Sequence, residues 1–298
     1  MNSDKRLHVV KVSQSKRVEG LLESTLKDSG IPARPAILDR IHAEMEKEEP
    51  DLNLLARIIS ADVALAGGLI SIANAPYFGY HARVRSVNDS LMILGLDVAC
   101  RAIAGLILRK LFPVTLPMER FWDASAGIAR LSGWLSQHSD ISIKVAANDA
   151  YTYGLFRDCG IAVLLFRFPY YHDVLLQANE EKTLSFIQIE EMQCPTNHTV
   201  IGSLLAQSWW LPEEMSTAIL VHHEYSILQK DDKTVLPSLT REFIALAQLA
   251  EHLYQHHTGL SRSQEWFKSK EVCMEFLGIN EDQIALFYEE SSAVLAKF

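Results

Sequence analysis

The chain has 298 residues, 48% hydrophobic and 22% charged, proportions of a globular protein that exclude a disordered one. It is longer than the ~100–200 residues usual for one domain, so one large or two medium domains are expected. With 28 basic and 37 acidic residues the formal net charge is −9, which excludes a generically basic nucleic-acid binder.

In chain order the hydrophobic periodicity is helical throughout. Leu21, Leu22 and Leu26 predict a helix over Val18–Ser29 that stops at Gly30, a favoured residue just past a helix end. Ile31-Pro32-Ala33-Arg34-Pro35 breaks the chain, and a helix follows through Ile37, Ile41 and Met45, its acid-rich tail Glu44–Glu49 read as a solvated face. Asp51 is placed to cap a helix carrying Leu55, Ile58 and Ile59, and Asp62 to cap the next, Val63–Ala73, where Gly67-Gly68 permits close helix packing. A loop between Pro76 and Gly79 holds Tyr77 and Phe78, with Tyr80 just beyond. Ser86-Val87-Asn88-Asp89 reads as a capping box before Leu91–Leu94. Gly95 ends that helix, and Asp97 is expected to cap one reaching Leu111. Pro113 and Pro117 bracket the best candidate junction. The charge supports it: 15 basic and 13 acidic residues up to Phe112, 13 and 24 beyond. Two units are therefore expected, 1–112 and 118–298, the second acidic enough to repel phosphate backbones unless a cation intervenes.

Beyond the junction, helices are predicted over 121–137, 146–156, 189–193, 199–209, 212–223, 239–257 and 284–295. Ile161–Phe168 is a short apolar run, read as a buried helix in preference to a strand. Strand-like alternation is scarce and no long repeat occurs, so the expected fold is an all-α multi-helix bundle.

Cys100, Cys159, Cys194 and Cys273 stand far apart. With no CxxC pair, a redox dithiol or zinc ribbon is not expected. The first residues lack a signal-peptide core, and apolar runs fall short of the ~20 residues that span a bilayer. A cytoplasmic protein with no membrane and no nucleic-acid partner is the expectation.

The chemistry-bearing residues cluster in the second half. His198, His222 and His223, with Asp158 upstream, are ligand types for divalent metals, although their spacing by itself favours hydrogen-bonded structural histidines over a metal site. Adjacent histidines on a helix point about 100° apart, so one metal is not expected to take both His222 and His223 easily; they would serve two metals, or one would ligate while the other supports it. His252, His256 and His257 lack the glutamate of HExxH and read as surface histidines near a helix end. No phosphate-cradling glycine loop or GxSxG elbow is present.

Taken together, Ile31-Pro32-Ala33-Arg34-Pro35, Leu55–Leu65, Ala73-Asn74, Tyr77-Phe78-Gly79 and Leu94-Gly95-Leu96 resemble the opening of the HDOD domain. Phe121-Trp122, Gly154-Leu155-Phe156-Arg157-Asp158, Asn197-His198, Gly202, Trp210-Leu211-Pro212-Glu213-Glu214 and Val221-His222-His223-Glu224 continue it in order, over roughly residues 24–255. The resemblance implies an N-terminal HDOD helical unit packed on an HD-like unit, divergent from the HD and HD-GYP phosphohydrolases, in a bacterial signalling protein. It also implies lost ligands. Ala124 stands where the hydrolases place their first histidine, Arg157-Asp158 where they have His-Asp, and Gln248 aligns with their later aspartate. Asp158, His198, His222 and His223 remain.

A guanidinium cannot coordinate a metal, and HD hydrolysis needs two metals to acidify a water and clamp phosphate oxygens. Arg157 is therefore expected to pair with Asp158, to stand in for a cation toward an anion, or to point away from the pocket. The leading expectation is a non-catalytic signalling module, with no cofactor beyond at most one weakly bound divalent metal and a signalling protein as partner in trans. Tyr77, Phe78 and Tyr80 are read as plugging the seam between the units in preference to forming a partner surface. The alternatives are a metal-dependent phosphohydrolase acting on a nucleotide or cyclic dinucleotide through a remodelled site of Asp158, His198, His222 and His223, and a nucleotide binder without turnover that uses Arg157.

Overall fold

The computed structural model describes residues 30–75, 83–229 and 236–296. Those residues are mostly helical, with no strand among them. The expected helix over 18–29 and the loop with Tyr77, Phe78 and Tyr80, read as a plug between the units, lie outside the described residues.

Five helices form the first layer: α1 (Ala36–Met45), α2 (Leu52–Ser60), α3 (Val63–Ala73), α4 (Val87–Leu94) and α5 (Leu96–Lys110). Asp51 accepts from the Leu54 amide and Asp62 from those of Ala64 and Leu65, so both caps stand as the sequence predicts. Ser86 caps α4 through the Asp89 amide; no return bond from the Asp89 side chain completes a box. Asp97 is not a cap. It lies in the first turn of α5, behind Gly95, whose positive φ of 75° makes the sharp turn from α4. Glu44 also departs from the solvated reading: it is buried, accepting from the Asp51 amide and from Lys47. Of the glycine pair in α3, only Gly68 is needed for packing, because a Cβ there would lie 2.6 Å from Leu106 while Gly67 faces open space.

Pro117 sits in the first turn of α6 (Leu116–Leu135), a position where its missing amide hydrogen costs nothing. Then come α7 (Ala147–Phe156), α8 (Cys159–Arg167), α9 (Tyr171–Glu180), α10 (Phe186–Gln193), α11 (His198–Ser208), α12 (Glu213–Val221), a 3-10 turn (Tyr225–Leu228), α13 (Ser238–Thr258), α14 (Glu265–Leu277) and α15 (Glu281–Leu295). The helix α13 is central, packing on α6, α7, α12, α14 and α15, and α5 bridges to α7 across the junction. The buried core runs continuously from Ile31 to Phe287. No single helix among the described residues is long and apolar enough to cross a membrane.

A second tie crosses from the first helices to the end of α11. Trp210 adopts a positive φ of 60°, a conformation in which non-glycine residues are strained. Its ring lies between the Arg34 guanidinium, 3.4 Å above it, and the His42 imidazole at 4.0 Å. Arg34 also donates to the Ser208 carbonyl, and the Trp209 indole N–H to that of Pro32.

His256 and His257 are exposed, as expected of a helix end, but His252 is half-buried. It stacks on Trp266 at 4.4 Å, and its Nε2 lies 2.6 Å from the Tyr288 hydroxyl. Burial, helped by the neighbouring His256 and Lys270, pulls the His252 imidazolium down to about 4. The unfolded chain takes up that proton near the ordinary ~6.5. Its contribution to stability is therefore intact above pH ~6.5 and is lost as the pH falls toward ~4. Melting temperatures of wild type and His252→Gln at pH 7 and pH 4.5 should show the smaller acid loss in the variant; equal losses would mean the imidazole titrates alike in both states.

Candidate functional site

Close backbone contact builds the site. Asp158 sits at the turn between α7 and α8, and α8 lies against α11 at Gly160 and Gly202. A Cβ on Gly160 would stand 2.0 Å from the His198 carbonyl oxygen and 2.8 Å from the Gly202 nitrogen. Only a residue without a side chain lets α8 approach this closely, and the approach brings Asp158 to the start of α11. Asn197 caps that helix by accepting from the Val200 amide, which fixes His198 as its first residue. His222 and His223 follow α12 directly.

Their position past the end of α12 overturns one expectation. The two adjacent imidazoles are not spread around a helix; the chain has turned, and both Nε2 atoms converge on His198. The His198 Nε2 lies 3.3 Å from that of His222 and 3.2 Å from that of His223. Asp158 Oδ1 lies 3.2 Å from the His222 Nε2 and 3.8 Å from the His198 Nε2. All four sequence-predicted residues meet at one point.

Each imidazole is anchored from behind through Nδ1. His198 donates to Glu190 Oε2 at 2.7 Å, His222 to the Ile219 carbonyl at 2.8 Å, and His223 to Glu265 Oε2 at 2.7 Å. The anchors are themselves held: Tyr171 donates to Glu190, and Tyr225 and Lys268 to Glu265. A neutral imidazole whose Nδ1 donates presents a lone pair at Nε2. Three such lone pairs and a carboxylate oxygen then face one another at hydrogen-bond range, which is repulsive unless a proton or a cation lies among them. This donor set, with its outer carboxylates, fits a borderline divalent cation.

The electrostatics separate two of the imidazoles. Burial and the neighbouring His223 push the His222 imidazolium down to about 3, so its lone pair is free at neutral pH. Burial opposes the charge on His198, but the Glu190 carboxylate at Nδ1 outweighs it and raises that imidazolium. Burial likewise opposes ionisation of Glu265, and hydrogen bonds from His223 and Lys268 overcome it.

Arg157, Ala124 and Gln248 occupy the departures noted in the sequence. Arg157 is buried, at 3% exposure, and does not point away. Its Nη2 lies 3.0 Å from Asp158 Oδ2 and 2.7 Å from Glu251 Oε2, and its Nη1 donates to the Ala247 carbonyl at 3.3 Å. Asp158 is thus shared, Oδ1 toward the imidazoles and Oδ2 toward the guanidinium. Burial opposes its charge, and Arg157 overcomes this to hold the carboxyl well below the usual range. Glu251 moves the opposite way, raised by burial and by repulsion from Asp158 despite Arg157. Ala124 lines the cavity above the cluster, and Gln248 is buried in α13.

Sequence reasoning missed Glu190, Glu251 and Glu265. Glu190 precedes His198 by eight residues across a turn, and Glu251 follows Gln248 within α13; neither spacing is a motif. Glu265 opens α14, a helix not foreseen at all.

A model of the HDOD domain matches residues 31–225. An uncharacterized protein of Treponema pallidum (strain Nichols) is 23% identical over 213 residues, covering 70% of this chain. The match covers 40% of that relative, so the chain spans less than half its length. Among solved structures, an HDOD domain protein of unknown function from Geobacter sulfurreducens superposes with a TM-score of 0.60 at 23% identity, covering 89% of this chain and 90% of the other. A candidate phosphohydrolase from Shewanella amazonensis SB2B gives a TM-score of 0.63 at 14% identity, covering 92% and 96%. At these identities both likenesses concern the fold. The family match extends over more than half of the chain and includes the motifs from Ile31 to Glu224: the protein belongs to the HDOD domain family.

Proposed function

We propose that this chain is a regulatory signalling module whose HD-like site holds one divalent metal on His198, His222, His223 and Asp158, and which does not turn over phosphoesters. The supporting observation is Arg157 against the outer oxygen of Asp158. A two-metal hydrolase bridges two cations with such a carboxylate; here one side of it faces a guanidinium that binds no metal. The bound ion would supply a Lewis-acidic anchor for an anionic ligand. Around it Glu190 and Glu265 hold two of the imidazoles in the binding tautomer, and Arg157 holds the carboxylate. A partner protein acting in trans would read the occupied state.

Elemental analysis of protein purified without chelator should find at most about one divalent ion per chain, exchangeable against a chelator. Nucleotide and aryl phosphoester assays with manganese, magnesium or iron should show no metal-dependent turnover. Two tightly held ions per chain, or turnover near ~1 per second abolished by His222→Ala, would overturn this reading in favour of a phosphohydrolase acting on a nucleotide or cyclic dinucleotide.

A further inference from the structure

His198, His223 and Asp158 form the floor of a cavity of about 400 Å³, within the size range of small-molecule sites. Phe121 and Ile128 of α6, Ile161 and Leu165 of α8, and Phe186 make its walls apolar. Ala124 belongs to the same wall, where a methyl group replaces a polar ligand. The lining also holds His172, Asn179 and Glu180 of α9 and Ser261, while Ser125 and Gln255 are already engaged. Ser125 Oγ donates to the Phe121 carbonyl, while Gln255 bonds both Glu251 and Ser263.

Two features mark the mouth. Leu116 and Leu176 are 61% and 50% exposed while lining the cavity, an apolar rim left open to water. Arg120 and Arg262 stand at the same rim, exposed and with no carboxylate partner among the described residues. Glu180 is exposed at the same cavity, and the two arginines outnumber it, so in a chain of net charge −9 the opening carries a local field that favours an anion.

We propose that this cavity binds an amphiphilic phosphate monoester, an alkyl or aryl chain carrying a dianionic head. The head meets the floor, and the chain lies along the α6–α8 wall and over the leucine rim. Arg120 and Arg262 draw the dianion in. A nucleotide fits less well along the α6–α8 wall, because the edge of a base needs hydrogen-bond partners and those in the lining, His172, Asn179 and Glu180, stand on α9. Only the anchoring of the head rests on the single-metal reading; selection by chain length rests on the wall.

The test is titration calorimetry of the full chain with ethyl, butyl, hexyl and octyl phosphate, and with AMP, each with manganese and with chelator. Below the length that fills the cavity, the dissociation constant should fall about fourfold per added methylene. Leu116→Gln and Leu176→Gln, surface changes that leave the core intact, should weaken octyl phosphate severalfold and leave ethyl phosphate unchanged. Arg120→Gln with Arg262→Gln should weaken every homologue by a similar factor. Affinity independent of chain length, or AMP bound more tightly than hexyl phosphate, would overturn the proposal. A chain-length slope that manganese does not affect would retire the metal reading alone and leave the amphiphile site standing. Manganese-dependent binding with no slope would do the reverse.

Discussion

Arg157→Met is expected to lower folding stability by about 3–5 kcal/mol, the usual result of removing one partner from a buried ion-pair network. Asp158 and Glu251 are 18% and 14% exposed and share this one guanidinium. Methionine fills a similar volume without charge, so two carboxylates would be left close together with little water to solvate either. Urea unfolding at neutral pH, followed by circular dichroism, measures the loss as a fall in midpoint at constant slope. The double variant Arg157→Met with Glu251→Gln should recover part of it, because one of the orphaned charges is gone. If the single variant unfolds within about 0.5 kcal/mol of wild type, the range of unremarkable surface changes, the three groups do not form a coupled network.

Gly160→Ala should be at least as damaging, through geometry instead of charge. The new Cβ would meet the His198 carbonyl at 2.0 Å and the Gly202 nitrogen at 2.8 Å, and both are backbone atoms that cannot rotate away. Helix α8 must then lift off α11. We expect a loss of about 3 kcal/mol or more, the upper range of overpacking, together with separation of Asp158 from His198 and loss of bound metal. The same substitution at Gly67, where nothing lies within 4 Å, is the control. There alanine should be neutral or gain up to about 1 kcal/mol from helix propensity. Thermal melts of the two variants side by side decide the matter: similar behaviour would mean that the α8–α11 contact is looser than the structure shows.

The helices that declare themselves in the sequence do so by a cap and a dense apolar stripe. Asp62 followed by Leu65 and Leu69 is one case, Asp51 followed by Leu55 and Ile59 another. The two unforeseen helices lack that stripe. In α9 the buried positions are Tyr171, Val174 and Ala178, sparse and mixed in size. In α14 the buried face begins with Glu265 and includes Ser269, so polar residues sit where periodicity looks for apolar ones. The site divides along the same line. His198, His222, His223 and Asp158 are visible as residue types in a familiar order. Their anchors are glutamates, which in isolation look like solvated surface, and only folding shows that Glu190 and Glu265 are fully enclosed. The convergence of His222 with His223 was hidden for another reason, since helical periodicity does not say that α12 ends at Val221.

The Arg34–Trp210–His42 stack has a consequence for the order of assembly. Arg34 reaches a carbonyl 174 residues further along the chain. At a synthesis rate of about 5–20 residues per second, its binding site is made some 9–35 s after Arg34 itself. Throughout that interval Ile31-Pro32-Ala33-Arg34-Pro35 has no Trp209 or Trp210 to receive it. The first helices can pair among themselves early, but their attachment to the rest must wait, and closing so long a loop is slow as well as late. The strained Trp210 backbone gains its flanking Arg34 and His42 only at that moment, so the tryptophan stack forms a late fastening of the growing chain.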